Sequence, residues 1–190
     1  MPVAAYRVCR RTYARLDGEG SRRVGGRWNS PGRPVVYMAQ SVALAVLENL
    51  VHMSRQDYPT GYVIVGAIIP DHVRILSHTR FLDSQSSGAT SERRAGDAWL
   101  ASGESAILRV PSAVVQGDWN FLINPRHLDF AQITVEPPVP MRFDERLFGH
   151  TQHQTPQAGR CSMRRACPET ARRLITILRS HGGRLKVKQY

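Results

Sequence analysis

A chain of 190 residues with 42% apolar side chains can fill one domain with a real core, and its longest apolar run, Tyr62 to Ile69, is too short to span a bilayer. The formal net charge of +11 would favour nucleic acid or an acidic partner, but it is unevenly spread: residues 1–150 hold 17 arginines against 14 acidic residues, residues 151–190 nine basic residues against one. The N-terminus MPVAAYRVCRR lacks the apolar segment of a signal peptide. The three cysteines, Cys9, Cys161 and Cys167, have no metal-type pairing, so the sequence predicts a reduced, cytoplasmic protein without disulfides or zinc.

Ala4 to Cys9 reads as a first strand and Arg10 to Arg23 as a polar, irregular segment. Gly25-Gly26-Arg27-Trp28-Asn29-Ser30-Pro31-Gly32 is a loop by composition, with two glycines that permit positive φ and close backbone approach. Val35 to Met38 follows as a short strand carrying Tyr37. Ser41 is a helix N-cap for Val42 to Val51, a stretch with only Glu48 and Asn49 polar and therefore expected to be buried nearly all round. Glu48 then shares its face with Leu44, Ala45, Val51 and His52, and Arg27 is its nearest candidate partner; a structural ion pair and a functional carboxylate both fit.

Gly61 to Ile69 is the clearest strand, closed by Pro70-Asp71. Residues 77–92 are rich in Ser and Gly and read as a surface loop, and Asp97 to Leu100 as a short helix stopped by Gly103. Strands are expected at Ala106 to Val110, from Asn120 towards Pro125 after a turn at Gln116-Gly117-Asp118, and at Ile133 to Glu136. Without regular βαβ alternation, the pattern predicts an α+β fold: a single compact domain with a mixed β-sheet core and flanking helices. The domain is expected over residues 1–149. Residues 150–190 form a basic extension, first linker-like, then an amphipathic helix with Ala171, Leu174, Ile175 and Leu178 on one stripe.

Tyr6-Arg7-Val8, GGRWNSPGRPVVYMAQSVALAVLE, GDAWL, LRVPSAVV, NFLINPRH and FDERL, in this order, resemble the RES-domain toxins of bacterial type II toxin–antitoxin systems over roughly residues 4 to 148. The resemblance implies an ADP-ribosyltransferase-like fold and a toxin that binds NAD and cleaves its nicotinamide–ribose bond. It would either degrade NAD by hydrolysis or phosphorolysis or transfer ADP-ribose to a protein. It also implies an Xre-type antitoxin that blocks the NAD pocket. Carried over residue by residue, Arg27, Tyr37 and Glu48 are the expected catalytic residues. Ser112, in Val-Pro-Ser, matches the serine in the family name, and Arg7 is a second basic candidate.

The residue types suit such chemistry. Breaking an N-glycosidic bond to nicotinamide develops positive charge on the ribose, which a carboxylate such as Glu48 can stabilise. Arg27 and the backbone N–H groups of Gly25 and Gly26 could take the pyrophosphate. Tyr37 could stack on nicotinamide, Trp28 could form a pocket wall or core, and Ser112 and Asn120 could orient hydroxyls. NAD is thus the expected substrate, with no metal. His52 and His127 read first as structural. The alternative is a basic nucleic-acid-binding or RNA-cleaving toxin built on Arg27, Trp28, Arg33 and the tail; a body without an RNA-binding motif and with 7% aromatics disfavours it. A third reading is a non-catalytic partner of a regulator.

Overall fold

The computed structural model describes residues 1–54, 59–82 and 88–148. The expected linker and helix of residues 150–190, Cys161 and Cys167, and part of the 77–92 loop lie outside the described residues. No described helix is long and apolar enough to cross a membrane.

Among the described residues, eight strands form one sheet: β1 (Val3–Arg10), β2 (Val36–Ala39), β3 (Tyr62–Ile69), β4 (Ile75–Ser77), β5 (Ile107–Pro111), β6 (Trp119–Ile123), β7 (Thr134–Val135) and β8 (Val139–Pro140). Their order is β4-β5-β6-β2-β1-β3-β7, with β8 also on β3. Only β4 and β5 pair in parallel; the other pairs are antiparallel. Three described α-helices, α1 (Glu19–Val24), α2 (Val42–Leu50) and α3 (Ala89–Ser102), complete an α+β fold. β1 and β3 pair along their whole length, from Val3↔Ile69 to Arg10↔Tyr62. β1 and β2 share a single register pair, Tyr6↔Ala39, so they part beyond it.

Alternation sorts the side chains. Val36, Met38, Ile107, Phe121 and Ile123 point to one face and join Val63, Val65 and Ala67 in the main core. The opposite face carries two separate clusters. One gathers Val35, Leu108, Val110 and Leu122 beneath Trp28 and α3's Trp99; the other gathers Val8 and Ala39 beneath α2's Leu44 and Ala45, with Phe143 and Phe148. Tyr37 belongs to the edge of the first cluster and Tyr6 to the second.

Three local expectations change. The polar segment before the arginine loop contains α1, which buries no residue; it follows Gly18 at φ 67° and is laced by Arg22 and Arg23 onto Glu19. Helix α3 starts well before Asp97. Its buried face is Ser91, Ala95, Gly96 and Trp99, too small and polar to read as an apolar stripe. Helix α2 is capped by Ser41, whose hydroxyl accepts from the Leu44 N–H at 3.1 Å, but it is not buried all round: Leu47 is 41% exposed and Val51, just after it, 57%. Only Leu44 and Ala45 face the sheet fully, because α2 packs on one side.

Candidate active site

Where β1 and β2 part, a cleft of about 1450 Å³ opens, lined by residues of both strands, the arginine loop, α2 and β6. Arg7, Arg27, Tyr37, Glu48 and Asn120 all face it. Five of the sequence-derived candidates, Arg27, Trp28, Tyr37, Glu48 and Asn120, therefore line one cavity; Ser112 does not.

Glu48 sits in the last turn of α2, where the negative end of the helix dipole disfavours a carboxylate. Two donors offset this. The Ser112 hydroxyl and the Asn120 side-chain amide each donate to Glu48 Oε1 at 2.7 Å. Ser112 is fixed in turn, because its Oγ accepts the Val114 and Val115 N–H groups, each at 3.0 Å. Its hydroxyl is thus committed to Glu48 and to the turn after β5. Oε2 of Glu48 has no hydrogen-bond donor among the described residues, so the carboxylate is held by one oxygen and keeps the other for a ligand. Next to it, Asn49 donates to the Val8 and Ala45 carbonyls at 2.9 and 2.8 Å and ties the end of α2 to β1.

Arg27 does not pair with Glu48. Its Nε and Nη2 donate to the two carboxylate oxygens of Glu92 in α3, the second at 2.7 Å, a bidentate grip that raises the guanidinium pKa. Glu48 is close enough to add to that shift. Arg7 lines the same cleft from β1 and has no carboxylate partner among the described residues; its guanidinium lies beside Cys9, whose thiol is nevertheless pushed up by burial. Of the two, Arg7 has the charge without a carboxylate partner among the described residues, while Arg27 is the oriented one.

The arginine loop is held in part by bonds of its own. Asn29, fully buried, donates to the Ser21, Ser30 and Arg33 carbonyls at 3.1, 3.2 and 2.8 Å. The Tyr37 hydroxyl accepts the Trp28 N–H at 3.1 Å and donates to Asn29 Oδ1 at 2.7 Å. Burial pushes its pKa up to about 12. Gly25 has φ 74°, and at Gly26 an added Cβ would lie 2.5 Å from the Tyr37 oxygen. The expectation that both glycine N–H groups await a pyrophosphate fails: Gly25 donates to the Ser21 carbonyl and Gly26 to the Asn29 carbonyl, each at 2.8 Å. The loop's own turn consumes them.

Trp28 is 3% exposed and packs in the cluster beneath α3, edge-on to His78 at 5.6 Å. Burial lowers the pKa of His78. His127 is structural, its ring spanning the Gly103 carbonyl and the Asp129 N–H, whereas His52 lines the cleft. Glu92 and Asp97 are the functional-looking residues that sequence reasoning missed. Their signal was an acid four residues before Gly96 and another just after it, within a segment read partly as loop.

The RES domain family model matches residues 4–144. A protein of Pseudomonas putida named "Toxin Res" is 39% identical over 140 residues, which cover 72% of this chain and 94% of that protein. The "Prs ADP-ribosylating toxin" of Sphingobium sp. strain YBL2 is 34% identical over 146 residues, covering 72% of this chain and 90% of that protein. In three dimensions, the crystal structure of the M. tuberculosis MbcT-MbcA toxin-antitoxin complex contains a similar chain, with a TM-score of 0.58 at 18% identity over 78% of this chain and 88% of that one. That likeness is one of fold. With the family model spanning most of the chain, and relatives above 30% identity matching along almost their full length, the protein belongs to the RES-domain family.

Proposed function

We propose that this protein is a toxin that binds NAD in the cleft between β1 and β2 and cleaves the bond between nicotinamide and ribose. The observation that carries the reading is Glu48: a carboxylate lining a large cleft, with one oxygen fixed by Ser112 and Asn120 and the other without a donor among the described residues. In the reaction the C1′–N bond breaks and its electron pair leaves with neutral nicotinamide. The ribose C1′ becomes electron-poor, and the acceptor's oxygen bonds to it while losing a proton. Glu48 stabilises the positive charge on the sugar or holds a ribose hydroxyl. Arg7 and Arg27 bind the pyrophosphate, and the Tyr37 ring, tethered through its hydroxyl, forms a wall. The relative named for ADP-ribosylation suggests a protein acceptor, and water and phosphate are the competing ones.

The partner belongs to the same reading. The cleft's mouth exposes Tyr13 (65%), Val24 (80%) and Val51 (57%) around arginines, a rim suited to an antitoxin segment with apolar and acidic side chains. The toxin–antitoxin complex of the structural relative supports such a partner, here expected to be of Xre type. A nucleic-acid role for the loop is weaker, because Arg27 and Arg33 are already paired with Glu92 and Asp97.

The test is incubation of purified protein with nicotinamide-labelled NAD in buffer alone, with phosphate, and with cell extract, with free nicotinamide and the ADP-ribose product followed together. Glu48→Gln keeps the acceptor oxygen for Ser112 and Asn120 and removes the charge, so it is expected to lower turnover at least ~10²-fold. Co-purified antitoxin is expected to stop the reaction by preventing NAD binding. A folded Glu48→Gln protein that releases nicotinamide at the normal rate would end this assignment.

A further inference from the structure

We propose that Glu92 is a positioning residue, which aims the Arg27 guanidinium at the substrate pyrophosphate through the bidentate bond that crosses from α3 to the arginine loop. The proposal rests on the reading of the cleft as an NAD site.

Arginine has a long, rotamer-rich side chain, and Arg27 projects from a loop with its side chain 48% exposed; among the described residues, Glu92 is the one group that hydrogen-bonds its guanidinium. Glu92 has the opposite character. Its side chain is 17% exposed, and it lies in the first turn of α3, where the positive end of the helix dipole stabilises a carboxylate. The bonds Arg27 Nε to Oε2 and Nη2 to Oε1 fix the guanidinium plane and occupy one of its edges. What remains for a ligand is the Nη1 end, presented in a fixed direction.

The grip is part of a larger contact. On one face of α3, Glu92, Arg93, Gly96 and Asp97 all meet the loop. Arg93 donates to the Gly26 carbonyl at 3.2 Å, and Asp97 accepts the Ser30 N–H at 3.0 Å and the Ser30 hydroxyl at 2.6 Å. At Gly96 an added Cβ would fall on the Trp28 carbonyl oxygen. Asp97 and Gly96 therefore seat the loop backbone, and Glu92 alone among them acts on the side chain that faces the cleft. The Arg27–Glu92 pair is close to neutral as a unit. Its value to an anionic substrate lies in directed N–H groups, and the free charge comes from Arg7.

This division yields a split in the kinetic constants. Glu92→Gln keeps size and one acceptor but releases half of the grip and one negative charge. NAD should bind no more weakly, because the cleft becomes more positive, while kcat should fall about 10-fold because the guanidinium is no longer held. In an Arg27→Lys background, where no fork exists to be gripped, the same Glu92→Gln change should alter kcat less than two-fold. A merely structural anchor would give a different pattern, with equal losses in both backgrounds. That result, a kcat within two-fold of normal for Glu92→Gln, or a raised KM with kcat unchanged would each overturn the proposal. If Glu92→Gln does not fold, Glu92→Asp serves instead; it keeps the charge but is one methylene too short to close both bonds, and the same fall is expected. Should the unaltered protein consume no NAD, the NAD reading itself fails. The Glu92 proposal is then read from growth arrest on induced expression: it stands if Glu92→Gln relieves arrest only where Arg27 is present, and falls if arrest persists unchanged.

Discussion

Tyr37 carries two loads at once, since its ring lines the cleft while its hydroxyl holds the Trp28 N–H and Asn29 Oδ1 of the arginine loop. Tyr37→Phe leaves both groups unpaired in a largely buried place, at a cost of about 1–3 kcal/mol in urea unfolding near neutral pH. The same position sets a pH dependence. Burial raises the folded-state pKa to about 12 against an ordinary 10, so between these values the unfolded chain loses the proton before the folded one does. The stability from the neutral phenol is therefore fully present below pH 10 and is lost as pH rises towards 12, by roughly 2–3 kcal/mol over the two units. Comparing the protein with Tyr37→Phe cancels the other titrating groups. The advantage of the unaltered chain should shrink above pH 10, and a constant gap from pH 8 to 11.5 would contradict the buried, loop-bound hydroxyl.

Between elements, the contact of α3 with the arginine loop decides whether the site is formed. Gly96 is where the helix and loop backbones touch, and its replacement tests that contact without altering any polar group. Gly96→Ala improves helix propensity by up to about 1 kcal/mol. The added methyl meets the Trp28 carbonyl, a backbone atom that moves only with the loop. The clash should win, giving a net destabilisation of about 1–3 kcal/mol in urea unfolding together with slower NAD turnover. A stabilised, fully active Gly96→Ala protein would mean that loop and helix do not meet there.

This contact also marks the limit of what the sequence discloses. β1, β2, α2 with its Ser41 cap, and β3 were legible because they carry apolar runs or caps whose physics is local. So was the approach of Arg27, Tyr37 and Glu48, although only through the family's motif order. The partners were not legible. An arginine 21 residues before a glutamate suggests a pair, yet the carboxylate that grips Arg27 comes 65 residues later, from a helix whose buried face is Ser, Ala, Gly and Trp. Likewise Ser112 read as a residue to orient substrate hydroxyls, and its commitment to Glu48 depends on β5 and β6 bringing Ser112 and Asn120 beside the end of α2. Long-range polar pairing leaves no periodic trace.

At the scale of the molecule, charge and chemistry occupy different parts of the chain. The residues proposed for the site all precede position 121, the family match ends at residue 144, and Phe143 and Phe148 close the cluster beneath α2 by stacking edge-to-face at 5.8 Å. The body up to residue 150 has a net charge of +3, and the following 40 residues carry +8. A chain ending at Gly149 should therefore stay folded and consume NAD at close to the normal rate, since it keeps the aromatic cluster and every group in the cleft. It should lose most of its affinity for polyanions. The full chain is expected to bind a non-specific polyanion such as heparin with a steep salt dependence, because each paired cation releases a counterion, and the shortened one with a shallow dependence. Measuring nicotinamide release and salt elution on the same two proteins separates the properties. If a folded 1–149 chain binds NAD but does not turn it over, the extension contributes to the site and the domain boundary lies further along the chain. If instead salt elution is unchanged while turnover is normal, the basic surface belongs to the body, and the arginines around the cleft become the place to look for a polyanionic partner.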